Sequence, residues 1–158
     1  MNKMQRFQYL KARKAYLDHL AILCGRPVLE SELSSVEAAA EMRESSKRLA
    51  TEPKVDWSLS FDQYRVLMNS DIAPKLRTLN PGPVSIWTED TIICGYVTLR
   101  SILDINFQFG EDFAGEAVLV VAAIDLKDRL LLDFHRGEAG TNVEISFQGN
   151  NWSKIQID

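Results

Sequence analysis

The chain has 158 residues and a formal net charge of −4, with 46% hydrophobic and 25% charged residues. That length suits one domain that buries a core without staples, and that composition excludes wholesale disorder. Two widely separated cysteines, Cys24 and Cys94, exclude a disulfide framework and a cysteine metal cluster, so free thiols of a cytoplasmic protein are expected.

Lys3, Arg6, Lys11, Arg13 and Lys14 break up any apolar stretch at the start, so no secretion-signal core can form there. The longest apolar run, Ala117 to Ile124, is too short to span a bilayer. Met4, Phe7, Leu10, Leu17, Leu20, Ala21 and Cys24 recur mostly at three- and four-residue steps, which predicts an amphipathic helix over residues 2–24. Gly25 and Pro27 should end it. Ser34 and Glu37 have the spacing of a capping box for a second helix reaching Ala50. Its apolar stripe (Val36, Ala39, Ala40, Leu49) is thin, so it should lie on the surface.

Val55, Trp57 and Leu59 alternate with Asp56, Ser58 and Ser60 as in a strand. Ser60 and Gln63 then offer a capping box for a short helix through Met68. Three prolines and Gly82 make the stretch from Ser70 to Pro83 mostly loop, with one helical turn at Lys75 to Leu79. Strands are expected at Val84–Thr88, along Thr91–Phe107 with a bend near Gly95 or Ser101, at Ala117–Ile124 and from Arg129 to His135. A last hairpin is expected from Thr141–Phe147 and Trp152–Ile157. The helices precede the strands, and the strands follow one another by short links. The expected fold is therefore a single α+β domain over 1–158, helical in 1–54 and mainly a sheet in 55–158. That sheet should be antiparallel and twisted, with five to seven strands by this count, and carry the N-terminal helices on one face.

Charge divides along the same line. Residues 1–54 hold 10 basic and 7 acidic residues, a balance of +3, while residues 55–158 hold 8 and 15, a balance of −7. An acidic sheet repels nucleic acid and attracts basic proteins. Asp133 and His135 fall on one face of a strand, a spacing that orients an imidazole or offers two metal ligands, but a metal site needs three or four ligands and no other histidine stands nearby in sequence. Glu111, Asp112 and Glu116 form an acidic loop between glycines. There is no nucleophile elbow and no glycine-rich phosphate cradle. No cofactor, metal, membrane or nucleic-acid partner is expected.

By size, charge and architecture the chain resembles bacterial immunity proteins, which neutralise a cognate toxin, often a basic nuclease. The resemblance implies a non-enzymatic protein that occludes a cationic active site. Glu111, Asp112, Glu116, Asp133 and Glu144 would make the acidic contacts, and Trp87 would serve as an anchor. Two alternatives stand beside it. A type III-like secretion chaperone would be small, acidic and dimeric, but needs apolar grooves for an unfolded client. A small hydrolase would use the carboxylates or the Asp133–His135 pair, which no converging motif supports.

Overall fold

A computed structural model describes residues 2–157. Six strands, β1 (Lys54–Ser60), β2 (Val84–Trp87), β3 (Val97–Leu99), β4 (Val118–Ala123), β5 (Asp128–Gly137) and β6 (Gly140–Gly149), form one antiparallel sheet in the order β1-β6-β5-β4-β2-β3. The fold is α+β, as composition and element order predict. Alternation along the strands sends Ile86, Val121, Leu132, Phe134, Ile145 and Phe147 to one face, where all are buried. β4, the apolar run, lies inside the sheet between β5 and β2.

The helix α1 (Lys3–Cys24) packs on that face through its second half, where Tyr16, Leu20 and Leu23 are buried. Its first half is exposed, apolar stripe included: Met4 and Phe7 are each 65% accessible. Gly25 ends the helix in the left-handed conformation at φ 65°, as its position predicts. The helix α2 (Val36–Ser45) is capped by Ser35, whose hydroxyl accepts from the Ala38 N–H, and not by Ser34. The Ser34 hydroxyl is already engaged, accepting from the Tyr96 N–H at 3.0 Å and donating to the Ser35 carbonyl. α2 lies over the opposite sheet face, with Met42 against Ser85 of β2. Cys24 and Cys94 are free thiols, and burial pushes both above the usual thiol range.

Three expectations are corrected. First, the stretch from Ser70 to Pro83 is not mostly loop. The helix α3 (Phe61–Leu67), with the expected Ser60–Gln63 capping box, runs through a wide π turn at Met68–Ile72 into α4 (Ala73–Leu79). Pro74 stands where the π turn passes into α4, and burial of Met68, Ile72 and Leu76 outweighs its helix-breaking tendency. Second, Thr91–Phe107 is not a bent strand. It comprises the one-turn helix α5 (Thr91–Cys94), the short β3 and a 3₁₀ turn at Ile102–Asp104. Gly95 (φ 96°) turns the chain where a Cβ would stand 2.1 Å from the Ser34 carbonyl oxygen. Third, the C-terminal stretch adds no strand. β6 takes β1 as its outer partner, and Trp152–Lys154 forms a 3₁₀ turn whose indole N–H donates to the Leu76 carbonyl at 3.0 Å.

Candidate protein-binding face

The face of the sheet turned away from the core is set by strand register. One row across it runs Ser58, Glu144, Asp133, Val118 over β1, β6, β5 and β4. The next runs Asp56, Ser146, Leu131, Val120, Trp87 over five strands. Such a row brings residues far apart in sequence within side-chain reach. Helix α2 covers the end bearing Ser85 and Ala122, both buried, and borders Trp87 and Val120. What remains open is an apolar strip of Trp87, Val118, Val120 and Leu131, with carboxylates beside it.

Trp87 is held in place by its neighbours. Its indole N–H donates to the Ser85 hydroxyl at 2.8 Å, and its ring stacks on Tyr96 with centroids 5.4 Å apart. A half-buried, oriented tryptophan loses little entropy on binding. Beside it a cleft of about 630 Å³ wraps the end of the sheet where β2 stops and β4 begins. Leu23, Phe109 and Phe113 make an apolar wall, and Glu89, Asp90 and Glu116 stand at the cleft with them. His19 meets Phe113 edge-on across the cleft at 5.5 Å.

The residues singled out from sequence fall into three groups. Asp133 and Glu144 are direct cross-strand partners, and His135 Nε2 lies 3.2 Å from one carboxylate and 3.9 Å from the other. Trp87 and Glu116 both line the cleft. Glu111 and Asp112 belong to a one-turn helix, α6 (Glu111–Ala114), where a loop was expected. Glu111 Oε1 accepts the Thr141 N–H at 2.9 Å, and the closeness of Thr141 holds its carboxyl below the usual glutamate range. Asp112 is fully exposed, with Arg136 3.6 Å away.

Sequence reasoning missed Glu89, Asp90, Val118 and Phe113. The first two form the turn that leads from β2 into α5. Val118 reads as interior strand, yet it is 46% accessible. Among the described residues no helix is long and apolar enough to cross a membrane. Comparison with protein-family models, with curated proteins and with solved structures gave no match.

Proposed function

We propose that this is a non-enzymatic, cytoplasmic protein-binding domain that captures a basic protein, in the manner of an immunity protein blocking a cationic toxin. The observation that carries the reading is the open sheet face, with an immobilised Trp87 at the head of an apolar strip and Asp133, Glu144 and Glu116 around it. An apolar centre with a charged rim is the anatomy of a specific protein interface. Carboxylates steer a basic partner in and take the place of its phosphate substrate, while the tryptophan and the valines set the lifetime of the complex.

The test is affinity purification from the native host at low salt, followed by binding measurements on the partner recovered. The wild-type complex should weaken as salt rises. Trp87→Ala should cost about 2 kcal/mol, roughly 30-fold in Kd and mainly in the off-rate. The pair Asp133→Asn and Glu144→Gln should slow association and flatten the salt dependence. Recovery of no basic protein, or a partner indifferent to all three changes, would sink the reading.

A further inference from the structure

The geometry points to a divalent metal site on the open sheet face, formed by Asp133, His135 and Glu144, which we propose takes a zinc-class ion. One nitrogen and two carboxylate oxygens of these residues all lie within 4.8 Å of one another. Donors around one tetrahedral ion sit about 3.4 Å apart, given metal–ligand distances of about 2.1 Å. The His135–Asp133 separation of 3.2 Å already meets that, and Glu144 is the most exposed of the three and free to swing inward.

The strand register supplies a second argument. Asp133 and Glu144 stand directly opposite one another on β5 and β6, where like charges repel. Among the described residues no lysine or arginine pairs with either carboxylate; the neighbour they share is His135. A cation held between the two carboxylates removes the repulsion, and the imidazole selects a borderline metal over magnesium or calcium. The ligands come from a ten-residue hairpin pair, two of them on β5 and one on β6, so the backbone needs no rearrangement to present them. Three protein ligands leave a position for water, the mark of an exchangeable site and not a sealed structural one.

The test needs no partner and uses the full, untagged chain. Titration with zinc chloride, followed by calorimetry, should give one saturable site. Cobalt(II) in its place should develop visible absorption of a low-coordinate site. In NMR spectra the His135 ring signals should shift at one equivalent while those of His19 stay in place. His135→Ala and Glu144→Gln, both on the exposed face and checked for fold by circular dichroism, should each weaken binding by at least about tenfold, the loss seen even for outer-shell partners. Absence of saturable uptake would overturn the assignment. So would uptake that survives both substitutions or moves the His19 signals first. If the protein-binding reading also holds, a bound cation cancels part of the acidic field, and zinc should slow capture of the basic partner. Loss of that last effect alone would count against the partner reading and leave the metal site standing.

Discussion

Tyr16 and Tyr64 are both fully buried, and their hydroxyls are treated differently. Tyr16 donates to the Gly95 carbonyl at 2.7 Å and shares a 3.0 Å hydrogen bond with the Thr91 hydroxyl, tying α1 to the turn behind β2. The Tyr64 hydroxyl has no hydrogen-bond partner among the described residues, although its ring packs edge-on against Phe134. Burial pushes both phenols well above the usual tyrosine range. Removing a satisfied buried hydroxyl and removing an orphaned one have opposite consequences. Tyr16→Phe should therefore lower stability by about 1 kcal/mol, and Tyr64→Phe should leave it unchanged or raise it by up to about 1 kcal/mol, measured by urea unfolding at constant slope.

Asp128 makes a stronger case. It is fully buried, and its two oxygens accept from the backbone N–H groups of Asn151 and Trp152 and from the side-chain amides of Asn80 and Asn151, at 2.7 to 3.0 Å. An amide there would face donors with a donor. Asp128→Asn should cost about 3 kcal/mol by the same measurement, because it leaves buried N–H groups unpaired.

Elements were legible where their determinants are local. The Ser60–Gln63 box and the stop at Gly25 depend on neighbours in sequence, and both read correctly. The cap of α2 did not, because the Ser34 hydroxyl is taken by Tyr96, 62 residues away. Prolines hid the continuous run from α3 to α4, whose helicity is enforced by the core and not by propensity. The candidate face shows the same division. The pairing of Asp133 with His135 follows from a two-residue spacing, but the arrival of Glu144 beside them depends on a register that sequence alone does not reveal.

Two predictions belong at this scale. Removing the first ten residues takes away, among the described residues, only positions that are exposed or, at Tyr9, half-buried, and should leave the melting midpoint nearly unchanged, whereas Leu20→Ala in the buried half should cost about 3 kcal/mol. The contact between α6 and the start of β6 should make itself felt in acid. Glu111 is held below the ordinary glutamate value, so its stabilising contribution is complete above that value and is lost as pH falls through and below it. Glu111→Gln should accordingly lose less stability than wild type between neutral pH and about pH 3, read from urea midpoints at each pH.

At the scale of the whole molecule, the sheet divides labour between its faces. One is closed by α1 and the α3–α4 run and holds the core; the other is covered by α2 at one end and left open over β5, β6 and β1. Charge divides along the chain and not between the faces, with residues 1–54 at +3 and residues 55–158 at −7. The open face is therefore an electrostatic feature of the assembled sheet, since Asp56, Asp133 and Glu144 come from three strands. A chain truncated before β6 should lack the cooperative melting transition of the intact protein, by circular dichroism, because it loses both a central strand and every partner of β1.

The seating of β6 between β5 and β1 also fixes an order of events during biosynthesis. β1 emerges from the ribosome about eighty residues before the strand it will join, and in that interval its backbone donors and acceptors, together with Trp57, have only solvent or other chains to meet. Closing so distant a pairing is slow, and an unpaired strand invites association with another nascent chain. The alternating Asp56, Ser58 and Ser60 keep one side of that waiting segment wet, and the docking of β6 then pairs one side of β1 while its other side stays an edge of the finished sheet.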